Sequence, residues 1–305
     1  MYIEIISKIL SESLLSLYPI FVKYINISFG LQIWSRFITY FLISSFFIDW
    51  TFIFKNILSK SAILLSIVTI IHVYVSYRGF QLLESGISYI IFYTYPLIIL
   101  LFAKEKISYL YIFAIIGIIL LANTKSKNES YENKEDKKDT NIFSKKNIIE
   151  QFPYEGVVMM ILAALTEAII YFLVRDIKTL NNWNHLFISY GLGTIILSIY
   201  FSRDLIQQKY NEFQSGSNKN TPEIGSLHKT LYISLIINAI IGLFGYLLRF
   251  YAVSRLEPKT YSALSYVGIL MAYIYGVIIN KDSITFQKII GSILILIPNI
   301  KLLKN

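Results

Sequence analysis

Five ionisable side chains, Glu12, Arg36, His72, Glu167 and Arg249, lie inside long apolar runs of the chain. A charge at the centre of a lipid-embedded helix costs about 2.5–3.5 kcal/mol on insertion scales, so such groups face a protein interior or a water-filled cavity. Arginine suits the capture of an anion by forked hydrogen bonds, which gives Arg36 and Arg249 a role at a solute cavity. Glu12 or Glu167 would pair with a cation or carry a coupling proton. Asn238, Gly242, Gly245 and Arg249 recur at offsets of 4, 3 and 4, so a helix brings them to one polar, small-residue face that either lines a cavity or packs closely. Tyr89, Tyr93 and Pro96 form a second stripe, and Tyr266 and Tyr273 lie near a seam of Gly268, Ala272 and Gly276 suited to close helix packing. The residues expected to touch a substrate are therefore Arg36, His72, Glu167, Arg249, Glu12, Tyr93, Tyr266 and Asn238. The plainer alternative has Glu12 and Glu167 clamping helices to basic neighbours, Lys8 and Arg249 snorkelling toward the headgroups, and the tyrosines packing as core.

These residues do not assemble into an enzyme. The chain has no cysteine and three scattered histidines, His72, His185 and His228, with no pair at metal-ligand spacing and no Gly-rich phosphate loop. A membrane-embedded enzyme would need a constellation such as a histidine with two acids, and His72 has no acid at helical spacing within its own span. No catalytic residue, metal or cofactor is expected.

The elements that carry the candidates are set by composition. Of 305 residues, 55% are hydrophobic and 15% charged, against about a quarter charged in a soluble domain, so the apolar surplus must face lipid. The net charge of +9 comes from lysines between apolar spans, not from one continuous patch, which argues for membrane flanks and against nucleic acid. The first apolar segment carries Lys8 and Glu12 and lacks a signal-peptide pattern, so it is expected to remain as a span. Abundant Ile, Asn, Lys and Tyr reflects coding bias toward A and T and carries no functional signal.

A span needs about 20 mainly apolar residues. Ten stretches qualify: 5 to 24, 31 to 50, 61 to 82, 85 to 103, 108 to 124, 154 to 174, 184 to 201, 231 to 253, 260 to 279 and 284 to 302. In lipid each must be a helix. The expected fold is thus an all-α integral membrane protein of about ten transmembrane helices. Residues 125–153 are a polar linker between a first unit, 1–124, and a second, 154–305, which itself contains a polar loop at 202–229. Placing Lys55, Lys60, Lys104, Lys106, Arg175, Lys178, Arg255, Lys259, Lys301 and Lys304 inside puts both termini in the cytoplasm.

The two units echo each other. Leu83-Glu84-Ser85-Gly86, Tyr93-Thr94-Tyr95-Pro96, Lys104-Glu105-Lys106-Ile107-Ser108 and Ile115-Ile116-Gly117 are followed in the same order by Leu256-Glu257-Pro258-Lys259, Ser262 to Tyr266, Lys281-Asp282-Ser283-Ile284-Thr285 and Ile289-Ile290-Gly291. With these motifs, Arg36 early in the second span and Lys23 closing the first, the chain resembles the drug/metabolite transporter superfamily, specifically its EamA-like ten-helix members. The resemblance implies two inverted five-helix repeats and a secondary carrier that moves a small polar or anionic metabolite by alternating access. The implied partners are a small-molecule solute and the bilayer, with a homodimer left open. The rival is a non-transporting polytopic receptor or scaffold of the same fold.

Overall fold

Lipid offers a backbone no hydrogen-bond partner, so apolar runs close their amide bonds internally. The computed structural model of the chain accordingly consists of helices, with no strand among the described residues. It describes residues 2–24, 29–83, 85–105, 109, 112–113, 115–117, 120, 154–215, 225–279, 286–287, 289–291 and 293–294. In chain order the helices are α1 (Tyr2–Leu15), α2 (Tyr18–Tyr24), α3 (Phe29–Ser45), α4 (Trp50–Asn56), α5 (Lys60–Leu82), α6 (Ser85–Phe92) and α7 (Tyr95–Phe102). They continue as α8 (Tyr154–Asp176), α9 (Asn182–Ser215), α10 (Gly225–Val253), α11 (Pro258–Ser265) and α12 (Val267–Ile279).

Among the described residues six helical segments are long and apolar enough to cross a bilayer: Tyr2–Val22, Lys60–Leu82, Glu155–Asp176, Asn182–Phe201, Ile233–Val253 and Pro258–Ile279. The expected span at 31–50 appears as α3, 17 residues long, followed by a turn at which the Asp49 carboxylate accepts from the amides of Thr51 and Phe52 to cap α4. The expected span at 85–103 is broken into α6 and α7. The stretches at 108–124 and 284–302 fall largely outside the described residues, as does the linker at 125–153. The polar loop expected at 202–229 is narrower than expected, and its centre, 216–224, lies outside the described residues. The polar stretch 202–229 is helical to Ser215 and again from Gly225. Leu205, Gln207, Gln208, Lys209 and Glu212 are good helix formers, and no Gly or Pro interrupts them before Gly216.

Packing runs across the two units more than within them. α5 lies against α8, α1 against α10, α3 against α9 and α7 against α11, while α6 and α7 also touch α8, and α11 and α12 touch α1. Three helical segments among the described residues contain joints: Ser16–Leu17 between α1 and α2, Tyr93–Thr94 between α6 and α7, and Tyr266 between α11 and α12. Pro96 sits in the first turn of α7, where a residue has no intrahelical amide bond to lose. Its carbonyl accepts from the Ser262 hydroxyl of α11 at 3.1 Å.

The joints of α6–α7 and α11–α12 meet directly, because a Cβ at Gly268 would overlap the Tyr93 hydroxyl. Gly268→Val is therefore expected to destabilise the protein by about 1–3 kcal/mol through overpacking. A thermal unfolding midpoint in detergent equal to that of the native chain would refute this close approach.

Candidate functional site

The face that α1 turns inward carries Ser7, Lys8, Ser11, Glu12 and Leu15, a helical stripe in which Lys8 and Glu12 are one turn apart. Lys8 and Glu12 form an ion pair with both side chains fully buried. Glu12 Oε1 also accepts from Arg249 Nη2 at 3.0 Å and from the Tyr95 hydroxyl at 3.1 Å. The other carboxylate oxygen, Oε2, accepts from the Tyr93 hydroxyl at 2.9 Å. Arg249 on α10 uses its remaining terminal nitrogen, Nη1, to donate to Glu167 Oε1 on α8 at 2.5 Å. One guanidinium thus ties three helices and the α6–α7 joint to a single point, with the Lys8 ammonium 3.5 Å above the centre of the Tyr261 ring.

His72 on α5 stands beside this network. Its Nδ1 lies 3.2 Å from the Ala163 carbonyl, which only accepts, so Nδ1 carries a hydrogen. Nε2 faces the Tyr246 hydroxyl at 3.2 Å and Glu167 Oε2 at 3.2 Å, although that carboxylate oxygen accepts no hydrogen bond.

Arg36 on α3 has different surroundings. Its Nη2 donates to the Tyr190 hydroxyl at 2.7 Å. The rings of Tyr18, Tyr40, Tyr77, Tyr190 and Tyr246 surround the guanidinium, with centroids 4.8–5.6 Å from Cζ. Among the described residues no carboxylate lies within ion-pair distance of it. Its Nε and the Tyr77 hydroxyl are both buried without a hydrogen-bond partner.

Arg36, Arg249, His72, Tyr93 and Tyr246 share the wall of one small cavity, closed on its apolar side by Phe80 and Phe92. Its volume of about 30 Å³ has room for a few waters and not for a metabolite. A larger crevice of about 320 Å³, lined by Phe41, Leu58, Phe187 and Leu192, carries no ionisable group. Among the described residues no three His, Asp or Glu side chains are placed to hold a metal ion.

A buried charge network at the meeting point of helices, inside an all-helical membrane fold, agrees with what the EamA-like transporter family matches in this chain, residues 154–298. That segment is an EamA-like domain. The EamA-like family belongs to the drug/metabolite transporter superfamily, and this match over the second unit, with six apolar helices among the described residues, supports a multi-pass integral membrane protein. No curated protein matches the sequence. A solved structure described as "Crystal structure of protein" is similar in fold, with a TM-score of 0.62 over 99% of this chain and 98% of that one at 12% identity.

The residues singled out by type and spacing separate into three groups. Glu12, Glu167, Arg249 and Tyr93 are brought into one network, with His72 beside it, and Arg36 faces the same cavity through its ring of tyrosines. Tyr266 is buried at the α11–α12 joint and does not line the cavity. Asn238 is buried on α10 eleven residues before Arg249, about 16 Å away along a helix. The small-residue face it shares packs closely: a Cβ at Gly242 would strike the Tyr18 and Tyr40 hydroxyls, and the Gly245 carbonyl accepts from Ser11 at 2.8 Å. Snorkelling is ruled out for Lys8 and Arg249, because both are fully enclosed by their partners.

Sequence reasoning missed Lys8 as a member of the network and missed the tyrosines around Arg36. The four-residue spacing of Lys8 and Glu12 was a usable signal. The tyrosines had none, since they come from α2, α3, α5, α9 and α10 and share no periodicity.

Proposed function

We propose that the chain is a secondary transporter that moves a small polar or anionic metabolite by alternating access, built from about ten spans in two inverted five-helix repeats. The observation that carries this reading is the network of Lys8, Glu12, Arg249 and Glu167, buried where the first and second units meet and reaching a small cavity through Arg249. A soluble core would avoid such a cluster, because desolvating charges costs several kcal/mol each before their attraction is counted. In a carrier the same ion pairs are contacts that one conformation makes and another exchanges. The repeat reading is supported by the packing. If α1 corresponds to α8, α5 to α10, α3 to α9 and the α6–α7 pair to α11–α12, the contacts α1 with α10 and α5 with α8 exchange into each other. The contact of α7 with α11 is then between the two equivalent jointed pairs.

The small volume of the cavity fits an occluded state of such a carrier. It equally fits the rival reading, a receptor or scaffold of the same fold that moves nothing. Counterflow into liposomes holding the purified chain separates the two, with labelled amino acids, nucleosides, sugar phosphates and nucleotide sugars as the panel. Saturable exchange of one class is the expected result. No exchange of any class would leave the non-transporting reading in place.

A further inference from the structure

We infer that the substrate of the central cavity carries a carboxylate or phosphate group and that Arg36, not Arg249, receives it. This deepens the transporter reading and rests on it. The first ground is charge. Three basic side chains, Lys8, Arg36 and Arg249, are buried around the site with two carboxylates, Glu12 and Glu167. Both carboxylates are engaged by Arg249, and Glu12 by Lys8 as well, so the cationic surplus falls on Arg36. Among the described residues this guanidinium, 3% exposed, has no carboxylate within ion-pair distance to balance it.

The second ground is hydrogen bonding. Arg36 Nε and the Tyr77 hydroxyl are the unpaired polar groups of this end of the site, and both are donors. Arg36 reaches the cavity wall itself, beside Tyr18 and Tyr246. An unpaired donor on a guanidinium that lines the cavity, with a second on the Tyr77 ring beside it, calls for an acceptor with several lone pairs, which is what an oxyanion offers. The surrounding tyrosine rings hold the guanidinium plane without neutralising it, through ring faces and one hydroxyl. Arg249 Nε is unpaired as well, but each Arg249 terminal nitrogen already has a carboxylate, so its charge is balanced and it holds the helices together and shapes the wall.

The test compares matched probes on the full-length purified protein in chloride-free buffer: benzoate against benzamide, acetate against acetamide, and inorganic phosphate. Binding is read as a concentration-dependent rise in the thermal unfolding midpoint. At least one oxyanion is expected to stabilise the chain while its neutral partner does not. Arg36→Gln should weaken that binding at least tenfold. Tyr77→Phe removes only the unpaired hydroxyl, which leaves the fold intact, and should weaken it several-fold.

Equal stabilisation by amide and acid, an unchanged affinity in both variants, or no effect of any oxyanion would overturn the assignment. Counterflow then separates the two levels of the argument. Saturable exchange of neutral or cationic solutes with oxyanions inert would remove the anion and keep the carrier. Oxyanion binding that depends on Arg36 without exchange of any solute would keep the anion and remove the carrier.

Discussion

Replacing Arg249 with alanine is expected to lower the stability of the folded chain by about 3–5 kcal/mol, because removing one partner of a buried ion pair strands the other without water. The effect belongs at the top of that range, since Arg249 serves two carboxylates on two helices. Its Nη2 is 3.0 Å from Glu12 Oε1 and its Nη1 is 2.5 Å from Glu167 Oε1. Arg249→Lys should recover part of the loss at most, as a single ammonium cannot reproduce a fork that reaches two acceptors. Thermal unfolding in detergent measures the first quantity and counterflow in liposomes the second, where exchange by Arg249→Ala should fall to the protein-free background. A variant that unfolds at the native midpoint would show that Glu12 and Glu167 do not depend on Arg249.

The second large effect concerns Glu12. Its carboxylate accepts from Lys8, Arg249, Tyr93 and Tyr95 together. Glu12→Ala should therefore also cost about 3–5 kcal/mol, chiefly by leaving Lys8 as a buried cation without a counter-ion. Adding Lys8→Met removes that cation and keeps an unbranched apolar stem. The double variant should be more stable than the sum of the two single changes predicts, with a coupling of about 1–3 kcal/mol for groups in direct contact. Strict additivity in a double-variant cycle would show that the pair is not coupled.

Helical class and multi-pass character were legible in the sequence because both follow from the length and spacing of apolar residues alone. The intramembrane charges were equally legible, since a glutamate or arginine in an apolar run has few ways to persist. Their pairing was not. Glu12 and Arg249 are 237 residues apart, and nothing local links His72 to Glu167. The helix boundary at Ser215 was misjudged because polarity marks where lipid ends, whereas helix formers such as Leu205 and Gln207 decide where a helix ends. The break at Tyr93–Thr94 was only half visible. Pro96 signalled a loosened span, but the joint at Tyr266 has no proline and Val267 follows it directly.

The distance along the chain between Glu12 and Arg249 has a consequence for biogenesis. α1 leaves the ribosome with a lysine and a glutamate on one face and must partition into the bilayer long before α10 has been synthesised. The one-turn spacing of Lys8 and Glu12 lets the helix enter as a self-neutralised unit, with the internal pair acting as a temporary counter-charge. When Arg249 arrives, that carboxylate becomes shared, and the last-made helices close a charge circuit that the first one opened. A nascent chain arrested before α10 would thus hold the charges of its first span by the Lys8–Glu12 pair and the Tyr93 and Tyr95 hydroxyls, without the arginine that completes the network.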